Sequence, residues 1–197
     1  MNRAIPVTII LLSALLTGCS QEAEVEPTPA ETVLVKVGDI APGFELTTLT
    51  GATFNLEAHR GKVVLINFFA TWCPPCREEL PYLEKQIWQA FDREKLAVIV
   101  IGREESDEII APFVDKHGYT VPFAGDPEMV AYSQYATRFI PRNFVIGPDG
   151  KVLYQSQGYE AHEFQEMVEL IENAVSGVGV DEEAASSEQS TDKLFVS

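Results

Sequence analysis

The sequence predicts a single α/β domain with a mixed central sheet flanked by helices, and three observations carry that prediction. Apolar runs of strand length alternate with segments of helical spacing through the middle of the chain. One run, Val63-Val64-Leu65-Ile66-Asn67-Phe68-Phe69-Ala70, is apolar almost throughout, as a strand covered on both faces must be. Towards the end of the alternation a tight turn joins two strands and an amphipathic helix follows, which adds an antiparallel hairpin to a βαβ order.

Taken in order, residues 41–56 hold two short extended pieces around Thr50-Gly51, a turn signal. Residues 62–70 form the buried central strand. Helical spacing runs from Pro74 to about Phe91, with Leu80, Leu83, Ile87 and Phe91 on one face. Pro81 kinks that helix, because it removes a backbone donor in the interior. A second buried strand covers residues 96–101 and a second helix residues 107–117. Residues 121–124 are extended, 127–135 helical and 142–146 a strand. Gly147-Pro148-Asp149-Gly150 is a tight turn into a strand over residues 151–155. Residues 161–175 close the domain as a helix with Phe164, Val168, Ile171 and Val175 inward.

The chain has 197 residues, enough for one domain and short for two full cores. With 46% hydrophobic and 22% charged residues it is neither disordered throughout, nor collagen-like, nor a disulfide-stapled miniprotein. Its net charge of −16 argues against a nucleic-acid-binding surface. Residues 37–176 read as the folded domain; up to Val175 it carries 21 acids and 11 bases, so the body is acidic without its ends.

The first residues read as an address. Arg3 gives a positive start, residues 5–16 an apolar stretch of signal-peptide length, and Leu16-Thr17-Gly18-Cys19 ends it. That run is shorter than the roughly 20 residues of a membrane-spanning helix. Leu-Thr-Gly-Cys resembles the bacterial lipoprotein lipobox, which implies removal of residues 1–18 and acylation of Cys19. The domain would then be lipid-anchored to a bilayer, facing the periplasm or other extracytoplasmic space. Residues 19–36, acidic and proline-punctuated, read as a disordered tether, and 177–197 as a disordered acidic tail.

The chemistry sits at Trp72-Cys73-Pro74-Pro75-Cys76, directly after the buried strand and at the mouth of a helix. Two intervening residues let both sulfurs meet across the first helical turn, so a disulfide can form and break without refolding. Unpaired helix N-terminal amides favour a thiolate there, and Pro75 suits a first turn, where a missing donor costs little. Cys73 reads as the attacking thiolate and Cys76 as the resolving thiol. A zinc site needs about four ligands, and neither a second Cys pair nor clustered histidines exist: His59, His117 and His162 are dispersed. A structural disulfide closing so short a loop would stabilise little.

The segment from Val63 to Pro81, ending Thr71-Trp72-Cys73-Pro74-Pro75-Cys76-Arg77-Glu78-Glu79-Leu80-Pro81, resembles the extracytoplasmic thioredoxin-like proteins of the TlpA/ResA type. The resemblance implies a thioredoxin fold with an N-terminal β extension and an inserted αβ unit after the first βαβ. It implies dithiol–disulfide exchange through a Cys73–Cys76 disulfide, with protein disulfides as substrates and no cofactor or metal. It also implies a membrane thiol-electron donor of the DsbD/CcdA type and, as the family's best-known substrate, apocytochrome c. Phe139-Ile140-Pro141-Arg142 matches the family's cis-proline loop; cis geometry at Pro141 would expose the Ile140 backbone to an extended substrate beside Cys73. Relatives carry a small hydroxyl residue after this proline, so Arg142 is expected to place a cation near the thiolate or the substrate. Trp72 is expected to pack beside the dithiol and shield it.

Thioredoxin's buried Asp, six residues before its first Cys, corresponds here to Asn67, which cannot titrate. The ResA-like branch has a Glu three residues after its second Cys, and Glu79 occupies that position. A partly buried carboxyl could pass protons to and from Cys76; an acid in a first helical turn also stabilises the helix dipole. Glu78 reads as solvated, and Arg77 as solvated or steering an acidic partner. An oxidase or isomerase would use the same residues in the opposite direction. A thiol peroxidase needs Pro and Thr or Ser where Ile66 and Ala70 stand, and a copper-binding redox module would use a C-x-x-x-C with a distant His.

Overall fold

The computed structural model describes residues 32–177. Five strands form one mixed sheet: β3 Val63–Phe69, β4 Leu96–Arg103, β5 Phe123–Asp126, β6 Arg142–Ile146 and β7 Val152–Gln157. Their order is β5-β4-β3-β6-β7, with β3 parallel to β4 and β4 to β5, and β6 antiparallel to β3 and β7. All seven residues of β3 are buried, as a central strand covered on both faces requires. The N-terminal extension, β1 Glu45–Thr47 and β2 Thr53–Asn55, is a two-stranded antiparallel sheet of its own.

The helices are α1 Pro74–Tyr82, α2 Asp107–His117, α3 Tyr132–Tyr135 and α4 Ala161–Ser176. The inserted unit is α2 with β5, which becomes the sheet edge beside β4. Gly102 lets α2 approach β4: a Cβ there would lie 2.2 Å from Ile110 Cδ1. Side chains from α1, α2 and α4, among them Leu80, Ile110, Phe164 and Ile171, pack on one sheet face with Leu65, Val98 and Val145. The other face, with Ile66, Phe68 and Phe144, is covered by α3, the β1–β2 hairpin and the N-terminal segment. The expected inward row of the last helix is observed at Phe164, Val168 and Ile171, joined by Met167.

Three stretches differ from expectation. The helix after the cysteines ends at Tyr82 and passes into a π-helical turn, Leu83–Trp88. Pro81 lies within α1, and the donor it lacks loosens the ladder where the wider turn begins. The helix expected over residues 127–135 is confined to α3. Met129 takes a left-handed φ of 53°, and the Asp126 carboxylate accepts the Ala131 and Tyr132 amides at 3.1 and 2.8 Å, which fixes the start of the helix. Finally, residues 32–36, expected within the tether, pack on the domain: Val35 is buried, Val33 bridges Ala136, and the Leu34 amide donates to the Tyr135 carbonyl. The expected signal segment, the lipidation residue Cys19, the tether up to residue 31 and the tail from residue 178 lie outside the described residues.

Candidate active site

Both cysteines are placed by the end of β3. Beyond Phe69, the loop is held by Glu105, whose buried carboxylate accepts the Thr71 amide at 2.8 Å and the Thr71 hydroxyl at 2.6 Å. Cys73 is then the N-cap of α1, with Pro74 and Pro75 in the first turn. Its Sγ accepts the Cys76 amide at 3.3 Å, so one unpaired helix N-terminal donor is aimed at the sulfur. Cys73 and Cys76 form a disulfide with Cα atoms 5.3 Å apart. Both are buried, Cys73 at 2% exposure and Cys76 at 0%.

A second loop closes over this pair. The Ile140–Pro141 bond is cis, and the Ile140 carbonyl oxygen lies 3.7 Å from Cys73 Sγ. Phe139 adopts a φ of 68°, and its carbonyl accepts the Tyr132 hydroxyl at 2.8 Å, which anchors the loop to α3. Pro141 is buried and Ile140 half-buried.

Arg142 does not put a cation at the dithiol. Strand alternation turns its side chain to the face that carries Phe144, while the cysteines belong to the other. There it is buried, donating to Gln157 Oε1 at 2.9 Å, to the Arg138 carbonyl at 3.0 Å and to the Thr32 hydroxyl. Trp72 also departs from expectation: it is 64% exposed, with most of its surface in solvent. Arg77 and Glu78 are exposed, and the three histidines stay apart, each on its own element.

Glu79 lies one turn beyond Cys76 on α1 and is buried. Its Oε2 accepts from Asn67 Nδ2 at 2.9 Å and its Oε1 from Asn143 Nδ2 at 2.6 Å. Burial pushes its pKa up to about 7, and the two amide donors hold back part of that rise. It is thus a carboxyl that exchanges its proton at neutral pH. Asn67 and Asn143 are brought together by register, directly opposite one another across β3 and β6.

Sequence reasoning passed over Asn143 and Glu105. Asn143 adjoins the cis-proline loop, but its bearing on Glu79 follows only from the β3–β6 register, across 64 residues of chain. Glu105 follows β4, and parallel pairing sets Phe69 beside Gly102, which brings the two strand ends together. An acid at the C-terminal end of a neighbouring parallel strand is the signal that could have found it.

A dithiol at a helix N-terminus, faced by a cis-proline loop on a mixed sheet, defines a thioredoxin-fold protein of the disulfide-exchange class. Known proteins agree. Residues 37–155 match the model of the AhpC/TSA family, and the chain belongs to that family. It is 31% identical over 162 residues to the thiol-disulfide oxidoreductase ResA of Bacillus thuringiensis strain Al Hakam, covering 82% of this chain and 92% of that one. Among solved structures it is similar to a Bacteroides thetaiotaomicron protein provisionally assigned as a protein disulfide isomerase, with 34% identity and a TM-score of 0.71, covering 74% and 93% of the two chains. A thioredoxin-family thiol:disulfide interchange protein from Chlorobium tepidum TLS matches at 27% identity and a TM-score of 0.56, covering 78% of this chain and 99% of that one. The protein is a thiol–disulfide oxidoreductase. Among the described residues no helix is long and apolar enough to cross a membrane.

Proposed function

We propose that the domain is a disulfide reductase of extracytoplasmic proteins, anchored through an acylated Cys19. In its reduced form the Cys73 thiolate attacks a substrate disulfide, forming a mixed disulfide and releasing one substrate thiolate. Cys76, deprotonated by Glu79, attacks Cys73 Sγ, which frees the second substrate sulfur and leaves the Cys73–Cys76 disulfide. Two electrons from a membrane thiol donor of the DsbD/CcdA type restore the dithiol. Trp72, Ile140 and Pro141 form the docking rim, on which an extended substrate segment pairs with the Ile140 backbone. The haem-site C-x-x-C-H of apocytochrome c is a substrate of that kind.

The observation that carries the exchange chemistry is Glu79, a buried carboxyl on the helix face of the resolving cysteine with a pKa of about 7; the direction rests on the couple's potential. The test is the reduction potential of the Cys73–Cys76 couple, measured against a dithiol buffer. A value near or below about −270 mV supports a reductase that needs a supply of electrons. A value near about −120 mV overturns that direction and makes the protein an oxidant of newly secreted dithiols.

A further inference from the structure

The cluster around Glu79 contains a buried acceptor that nothing satisfies: Asn67 Oδ1 has no hydrogen-bond partner. Its neighbours are fully engaged. Asn67 Nδ2 donates to Glu79 Oε2 at 2.9 Å and to Asn143 Oδ1 at 2.7 Å. Asn143 Nδ2 donates to Glu79 Oε1 at 2.6 Å and to Ser156 Oγ at 3.2 Å. Both hydrogens of both amides are used, and each carboxylate oxygen receives one.

That arrangement fits an ionised carboxylate. A protonated Glu79 would direct its O–H at donors, with no acceptor to receive it. Asn67 Oδ1 is the nearby acceptor, turned away on the same planar group. A half-turn of the Asn67 amide exchanges Nδ2 and Oδ1 with little change of shape. It gives up the bond to Asn143 and gains one from the carboxyl O–H. The turn pairs the formerly orphaned Oδ1 but moves Nδ2 into its place and takes the donor from Asn143 Oδ1, so it is favoured only while Glu79 carries the proton.

We propose that Asn67 and Asn143 are positioning residues for the proton transfer, holding Glu79 when it is ionised and, through rotation of the Asn67 amide, accepting its O–H when it is neutral. This rests on the reading of Glu79 as the proton carrier for Cys76. The disulfide-bonded Cys73 and Cys76 lie at the start of its own helix, and the titratable groups around the site are Tyr154 of β7, Tyr159 just beyond it, and Glu160 and Glu163 at the start of α4. The carboxylate oxygens themselves are met by the two asparagines.

The test reads Glu79 directly. Full-length oxidised protein labelled with ¹³C-glutamate is titrated by infrared spectroscopy, and the Glu79 carboxyl band is assigned by its loss in Glu79→Gln. In Asn143→Leu, and in the smaller polar Asn143→Ser, the midpoint rises by about one pH unit or more, the shift equal to losing about 1.4 kcal/mol of anion stabilisation. Asn67→Leu raises it likewise. In the wild type, the Asn67 side-chain amide resonances move with the same midpoint as the carboxyl band. A wild-type midpoint in folded Asn143→Ser, or Asn67 resonances that ignore the titration, overturns the proposal. The readout needs no turnover. If Glu79→Gln exchanges disulfides with an unaltered pH profile while the band still shifts in the asparagine variants, the catalytic reading of Glu79 fails and the cradle stands.

Discussion

Arg142 and Asn143 are consecutive in the chain and serve opposite faces of the sheet: the guanidinium ties down Thr32, Gln157 and the Arg138 carbonyl, while the amide bonds Glu79 and Ser156. Period-two alternation thus separates a structural cation from the redox site by one residue. It also joins the incoming N-terminal segment to the cis-proline loop, because Thr32 is held from the base of that loop.

Arg142→Met should therefore act on stability and leave the redox chemistry alone. The substitution removes the guanidinium's bonds to the Thr32 hydroxyl, Gln157 Oε1 and the Arg138 carbonyl, at a cost of about 1–3 kcal/mol for buried bonds to a charged donor. Urea denaturation should show that loss, and the reduction potential should match the wild type. A shifted potential would mean that the guanidinium reaches the dithiol electrostatically despite its orientation.

Glu79 should make the wild-type protein less stable as the pH rises. Its pKa is 4.5 as an ordinary glutamate and about 7 in the folded protein. Between those values the folded state holds a proton that the unfolded state has released, so stability falls with increasing pH across that window. The loss, of order 3 kcal/mol, is complete above about pH 7. Glu79→Gln should be flat over the same range and exceed the wild type at about pH 8, while exchanging disulfides more slowly. Parallel pH–stability curves for the two proteins would contradict the buried-acid assignment.

Glu84, five residues further on, should behave in the opposite sense. It is also buried, but its carboxylate collects four donors: the Thr120 amide at 3.0 Å and hydroxyl at 2.5 Å, the Val121 amide at 3.0 Å, and Gln89 Nε2 at 3.0 Å. Burial pushes its pKa up, yet these bonds outweigh burial and hold it below the ordinary glutamate value. A depressed pKa stabilises the fold above the unfolded value and ceases to do so as pH falls through the folded one. Glu84→Gln should lower the urea midpoint at about pH 7, with the deficit shrinking towards about pH 3. A deficit independent of pH would assign the residue's contribution to packing.

What could be read from sequence, and what could not, divides along the range of the interactions. The buried strand, the Cys73–Cys76 pair at a helix mouth and the Gly147–Gly150 turn are local, and each was legible from spacing and turn chemistry. Glu79 was legible as a candidate but its environment was not, since the two amides that meet it come from β3 and β6 through pairing of distant strands. Arg142 and Trp72 failed for a related reason. Proximity in the chain to Pro141 or Cys73 does not say which face a strand side chain takes, or whether a loop aromatic is covered. The π-helical turn after Pro81 was legible as a disturbance, but its form depends on how the freed carbonyls are satisfied.

Cys73 should be the sulfur that meets the substrate. Cys73 is the helix N-cap, its sulfur receives the Cys76 amide, and it lies 3.7 Å from the Ile140 carbonyl of the facing loop. Cys76 is fully buried one turn further in, whereas Cys73 is the sulfur that faces the docking loop. Cys73→Ser should abolish reduction of a model disulfide. Cys76→Ser should still attack but lack the second thiol that resolves the mixed disulfide, so a covalent adduct through Cys73 should accumulate. Mass spectrometry after incubation with a disulfide peptide distinguishes the cases, and dithiothreitol should release the adduct. Adduct formation by Cys73→Ser at the rate of Cys76→Ser would reverse the roles, and would require the first turn of α1 to open before the enzyme can act.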